Sequence, residues 1–113
     1  MENEKTIEKI QKLEQKGKVK KILPYAESKK TGIREAAALA LGCAYDDDAF
    51  NKLKTMLRDP EPSVCICAAG GLKKLGNESA IDHLRYASKN TTDENIKAAC
   101  NEAAGAIVNS LKR

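Results

Sequence analysis

Residues 57–84 read LRDPEPSVCICAAGGLKKLGNESAIDHL, and they align without a gap on residues 26–53, AESKKTGIREAAALALGCAYDDDAFNKL. The offset is 31 residues, so that Ile33, for example, pairs with Val64. Self-similarity at a fixed period of about 20 to 50 residues indicates a solenoid or another repeat array. The chain therefore predicts stacked repeats, an architecture that presents a surface to a partner.

Each repeat divides into a first and a second helix, and the second helices have the clearer pattern. Their apolar residues recur at positions i, i+3, i+4, i+7, i+8 and i+11, which is one face of an amphipathic helix. Small side chains in the middle of this face allow neighbouring helices to approach closely. We expect all eighteen positions to lie in the core: Ile33, Ala36, Ala37, Ala40, Leu41 and Ala44; Val64, Cys67, Ala68, Gly71, Leu72 and Leu75; and Ile96, Ala99, Cys100, Ala103, Ala104 and Ile107.

The repeats define the domain organisation. We predict a single domain over 1–113, with seven helices: a capping helix (1–17) and three pairs (18–45, 46–76 and 77–113), the last helix being the longest.

Local signals give the expected helix ends. Pro24 predicts a kink or break near Lys20 to Tyr25. Asp48 is expected to start the next helix, and Ser79 with Asp82 resembles a capping box.

Composition limits the class of protein. The chain has 113 residues, 42% of them hydrophobic, and a formal net charge of +4. It has no run of 18 apolar residues, and its charged N-terminus resembles neither a membrane span nor a signal peptide. We therefore expect a cytoplasmic protein whose four cysteines remain free thiols, with no cofactor.

Two segments carry a family resemblance. RDPEPSVCICAAGGLKKLG and TGIREAAALALG resemble the HEAT-repeat pattern, in which an acidic-Pro turn precedes Val-Arg, an Ala-rich stretch and Leu-Gly. The match is closest to the short HEAT-like repeats of phycobilisome-lyase-type proteins, and it covers residues 18–108. The resemblance implies an all-α, right-handed α-solenoid of antiparallel helix pairs, about three repeats plus the capping helix. The second helices would then line the concave side.

One residue departs from the family pattern. Arg34 and Lys97 keep the basic residue that follows the branched aliphatic one, whereas Cys65 replaces it in the central repeat. We expect this replacement to weaken an inter-repeat ladder of Asp and Arg at the middle turn, where Asp59 is the natural acidic partner.

The second-helix positions outside the core pattern are predicted to form the concave surface. Small and aliphatic side chains there would make a shallow groove for a protein, a peptide or a second copy of the chain. The alternative is that neighbouring repeats or a longer N-terminal segment cover them. The predicted partner-binding residues are Arg34, Glu35, Leu39, Cys65, Ile66, Gly70, Lys73, Lys97, Asn101 and Glu102, with Ala38, Gly42 and Ala69 between them.

Two other functions are open at this point. Nucleic-acid binding would use the Lys-rich segment Lys16 to Lys21 with Lys73 and Lys74, but the predicted concave face is nearly balanced in charge. A bilin lyase-like activity follows only from the phycobilisome-lyase resemblance, which transfers no catalytic residue. His83 falls on an exposed first-helix position. We expect a non-catalytic scaffold.

The cysteines and acidic residues favour no metal. Cys65 and Cys67 are two residues apart on a helix, about 200° around its axis, and so cannot share an ion. Asp46 to Asp48 lack the spaced oxygens of a calcium loop and are explained by helix capping. Cys65 is expected to be exposed near a helix N-terminus, where the dipole would lower its pKa.

Overall fold

The computed structural model describes residues 2–112, apart from the Glu2 side chain, and all their regular secondary structure is helical. This part of the chain forms α1 (Glu2–Gln15), α2 (Val19–Ile22), α3 (Thr31–Ala40), α4 (Asp47–Met56), α5 (Pro62–Leu75), α6 (Ala80–Lys89) and α7 (Glu94–Leu111). Short 3₁₀ segments cover Leu23–Glu27 and Leu41–Cys43. The predicted all-α class is confirmed for these residues, and α7 is their longest helix, as expected.

The helices form two layers. The capping helix α1 and the second helices α3, α5 and α7 pack in this order, each on the next, and α4 and α6 pack against the helix that follows them in the chain. The molecule measures 39 × 32 × 17 Å, with a radius of gyration of 13.3 Å. A compact globule of this length has a radius of about 13 Å. Three helix pairs therefore give a short, flat stack rather than an elongated one.

Helix boundaries follow the local chemistry, with two corrections. The break at Pro24 is confirmed, since α2 ends at Ile22 and the chain tightens into a 3₁₀ segment. Asp46, not Asp48, caps α4, because its Oδ1 accepts hydrogen bonds from the Asp48 and Ala49 amides. The capping box at Ser79 is wrong. Ser79 already has helical dihedral angles and donates its amide hydrogen to the Asn77 side chain.

The core contains most of the expected second-helix positions, but its face is wider than predicted and slightly rotated. Ala38 and Ala69, expected on the surface, are fully buried because each second helix is covered on both sides by neighbouring second helices. Asn101 holds the equivalent position in the last repeat and is exposed, where no helix follows within the described chain. The positions that are only half-buried are Ala36, Cys67, Leu75 and Ala99.

The first repeat ends its second helix early. Helix α3 stops at Ala40, and after the 3₁₀ turn the backbone is extended at Ala44. Ala44, expected in the core, is therefore exposed. Gly42, expected on the surface, is buried because the turn packs against α5, where a β-carbon on Gly42 would lie 2.8 Å from the Gly71 oxygen.

Candidate functional site

An ion pair joins the first two repeats across their turns. The Arg34 guanidinium on α3 donates from Nε to Asp59 Oδ2 (2.9 Å), from Nη2 to Asp59 Oδ1 (3.1 Å) and from Nη1 to the Ser28 carbonyl (3.0 Å). Both side chains are largely buried, 15% and 10% exposed. Burial opposes the charge of the Asp59 carboxylate. Hydrogen bonds from Arg34 and from the Glu61 amide outweigh it, so the pKa of Asp59 lies below its usual value. We call this contact the first rung.

The second rung, between the second and third repeats, lacks both charged partners. Cys65 stands where Arg34 does, and its Sγ donates to the Asp59 carbonyl at 3.1 Å, the counterpart of the Ser28 carbonyl. Thr91 occupies the position equivalent to Asp59, two residues before the N-cap of the second helix. The Thr91 Oγ1 accepts a hydrogen bond from the Asp93 amide, just as the Asp59 carboxylate accepts one from the Glu61 amide. The replacement by Cys65 therefore weakens the second rung. Asp59, which was expected to lose its partner, is paired with Arg34 of the preceding repeat.

The expectation that Cys65 is exposed and acidic is wrong. Its side chain is only 3% exposed, because the position after the first apolar residue of a second helix points towards the adjacent turn rather than to solvent. Burial, with a contribution from the Asp59 carboxylate, raises its pKa above the ordinary thiol value. Cys65 is therefore not available to a partner at the surface.

Six of the predicted partner-binding residues lie together on α3, α5 and α7, and we call them the second-helix face: Glu35, Leu39, Ile66, Gly70, Lys73 and Glu102. Leu39 is 41% exposed, and its Cδ2 would be 3.5 Å from a β-carbon on Gly70. Ile66 is half-buried against the core. The centre of this face is therefore small and apolar, and Gly70, which has no side chain, does not project from it.

Polar contacts between repeats occupy part of the same face. The Ser63 hydroxyl donates to Glu35 Oε2 at 2.6 Å, and Lys73 Nζ lies 2.7 Å from Glu102 Oε1. Of the other predicted residues, Lys97 is half-buried and Asn101 exposed on α7, while Arg34 is engaged in the first rung. The structure therefore leaves Leu39 as the main exposed apolar group of the predicted site.

A cleft that the sequence did not reveal lies between α4 and α6. Its volume is about 790 Å³, and its inner end is lined by Cys65 and Thr91 of the second rung together with Ile96. Lys54 and Arg58 border it on the α4 side, and His83 and Tyr86 border it on α6. His83 is exposed, as expected, and its ring meets the Phe50 ring edge-on at 6.4 Å between centroids. The sequence contains one signal for this cleft, which is that the two rung positions hold the small residues Cys65 and Thr91.

The remaining candidate sites are the lysines considered for nucleic acid, the cysteines and a possible metal site. Three of the lysines considered for nucleic acid have acidic partners: Lys20 with Asp46 and Asp48, Lys73 with Glu102, and Lys74 with Glu14. All four cysteines are free thiols. Within residues 2–112, no three His, Cys, Asp or Glu side chains group so that they could hold a metal ion.

None of the helices between residues 2 and 112 is both long and apolar enough to cross a bilayer.

Comparison with known proteins agrees with the repeat pattern. No curated protein matches the chain. A family model described as HEAT repeats matches residues 19–105, about three quarters of the sequence. On this match and the two layers of paired helices, the chain belongs to the HEAT-repeat family.

Proposed function

We propose that the protein is a non-catalytic scaffold that binds a protein or peptide through its second-helix face. HEAT repeats are commonly protein-interaction scaffolds. In the proposed arrangement, the helix pairs are antiparallel, the stack is right-handed and the second helices line its concave side.

The observation that carries the proposal is the apolar centre of the face. Leu39 extends over Gly70 and remains 41% exposed, although α3 and α5 are otherwise in close contact. Exposed leucines are common singly, but this one lies over Gly70, and half-buried Ile66 is one turn before Gly70 on the same neighbouring helix. A partner's apolar side chain placed here would exclude water from both residues, and Lys73 and Glu102 would form a polar rim.

The test compares partner capture by matched surface variants. Leu39→Glu places a charge in the apolar centre, and Gly70→Lys covers it without a backbone clash. Leu111→Glu is the control, because Leu111 is 51% exposed near the end of α7 and lies outside the face. Circular dichroism establishes that each variant is folded.

We expect a partner that the wild type and Leu111→Glu retain and that both face variants lose. Equal capture by all four proteins would exclude this face as the binding site. Light scattering at two concentrations separates the alternative in which the partner is a second copy: the wild type would then dimerise and Leu39→Glu would not.

A further inference from the structure

The altered second rung lines the inner end of the α4/α6 cleft. Between the first and second repeats, the Arg34 side chain crosses to Asp59. Between the second and third, Cys65 and Thr91 are both short, and Cys65 reaches only the Asp59 carbonyl. Both short side chains line the cleft, whose volume is about 790 Å³. Ligand clefts typically have about 300–1,000 Å³.

The charge of the cleft is positive. Lys54 and Arg58 have no acidic partner among the described residues, and Lys54 Nζ lies 4.8 Å above the Phe50 ring. The carboxylate that lines the cleft, Asp59, is already bound by Arg34. The cleft therefore presents two uncompensated cations to an anionic ligand.

The walls suit a peptide with an apolar side chain. Tyr86 is 66% exposed, one turn after His83 on the same side of α6, and Leu57 and Ile96 give the inner end an apolar surface. Exposed tyrosine is enriched where proteins bind partners. Because His83 and Tyr86 are open to solvent, the cleft is a groove rather than an enclosed chamber.

We propose that the α4/α6 cleft binds an acidic peptide segment. A carboxylate of the peptide lies between Lys54 and Arg58, and a neighbouring apolar side chain enters the space that an arginine at position 65 would fill. The site is on the first helices, the layer opposite the second-helix face, and it stands whether or not that face binds a partner.

The experiment is a ¹H–¹⁵N NMR titration of the whole chain with the tetrapeptide Ac-Asp-Glu-Leu-Phe-amide. Ac-Lys-Lys-Leu-Phe-amide and a single-stranded oligouridine are titrated in parallel. We expect the acidic peptide to shift the resonances of Lys54, Arg58, His83, Tyr86 and Thr91, leaving those of Leu39 and Gly70 unchanged.

Two double variants test whether the cleft is the site that binds the acidic peptide. Lys54→Gln with Arg58→Gln is expected to weaken acidic-peptide binding about fivefold or more. Lys5→Gln with Lys9→Gln on α1 removes the same net charge elsewhere and should leave binding unchanged. Cys65→Arg with Thr91→Asp rebuilds the rung and fills the inner end of the cleft, so that the apolar side chain of the peptide cannot enter and binding is lost while the protein stays folded.

The proposal is overturned if the acidic peptide shifts nothing in the cleft, or if the basic peptide shifts the same resonances equally. Shifts centred on Leu39 and Gly70 would assign the peptide to the second-helix face instead. The same shifts with oligouridine would reassign the cleft to nucleic acid. Should the rebuilt rung prevent folding, the comparison of the two glutamine pairs still decides the outcome.

Discussion

Gly71 on α5 lies so close to the backbone of Ala38 on α3 that a β-carbon on Gly71 would be 2.5 Å from the Ala38 carbonyl oxygen. It would also be 2.9 Å from Leu53 Cδ2. Its neighbour Gly70 faces outwards, and a β-carbon there would meet only Leu39 Cδ2 at 3.5 Å, an ordinary contact. Two adjacent glycines of one helix thus have opposite roles.

Gly71→Ala is expected to lower the free energy of unfolding by about 1–3 kcal/mol, because two backbones must move apart. Gly70→Ala should raise it by about 0.5–1 kcal/mol, since alanine is the better helix former and nothing obstructs it. Urea denaturation of both variants measures the difference. Equal effects would show that α3 and α5 are not in close contact at this point.

Removing the first rung is expected to destabilise the stack. Arg34→Gln should lower the free energy of unfolding by about 1–2 kcal/mol, because it leaves the largely buried Asp59 carboxylate without its guanidinium. Lys73→Gln is the control: it removes an exposed ion pair with Glu102 and should change stability little. Chemical denaturation at neutral pH makes the comparison, and the two variants should differ clearly.

The same rung predicts a dependence on pH. The folded-state pKa of Asp59 is lowered, so its contribution to stability is complete above the unfolded-state value of about 3.9. It is lost as the pH falls through the lower folded-state pKa. Thermal unfolding of the wild type from pH 7 to pH 2 should therefore show an acid decline that Asp59→Asn reduces. An unchanged decline in the variant would contradict the assignment.

Thiol labelling should follow burial. Burial raises the pKa of all four cysteines, that of Cys100 to about 11. In native protein at pH 8, Cys65 and Cys100 are expected to react slowest with a disulfide reagent, after the half-buried Cys43 and Cys67. Mass spectrometry of timed samples gives the order, and urea should make all four react. Rapid labelling of Cys65 alone would contradict its burial.

Two residues at helix N-termini, Asp93 and Ser79, give a further pair of matched variants. Asp93 Oδ1 accepts hydrogen bonds from the Asn95 and Ile96 amides, at 2.8 and 3.0 Å. Asp93→Ala should therefore lower the free energy of unfolding by about 1 kcal/mol. Ser79→Ala removes no side-chain cap bond and should have almost no effect. Denaturation midpoints of the two variants test this, and a larger loss for Ser79→Ala would restore the predicted capping box.

The fold was predictable because the repeat fixes helix period and order together. Ile33, Val64 and Ile96 begin the same apolar pattern in each copy, and all three are buried. Caps were less predictable, since Asp46 and Asp48 offer the same side chain and only the backbone geometry selects between them.

The candidate site was predicted only in part. Leu39 and Gly70 do lie together on neighbouring helices. The exposure of Cys65 was predicted wrongly, because helical periodicity describes one helix and does not show which side chains the turn before that helix covers. The cleft was missed for the same reason, since its walls come from α4 and α6.

The sequence alone therefore determined the class, the order of the helices and most of the positions that form the core, because these follow from apolar periodicity along a single chain. Only the tertiary structure decided which carboxylate Arg34 binds, which of the two neighbouring glycines has no room for a side chain and where the α4/α6 cleft lies. Those features depend on distances between repeats, and such distances result from how side chains of different helices fill the space between them.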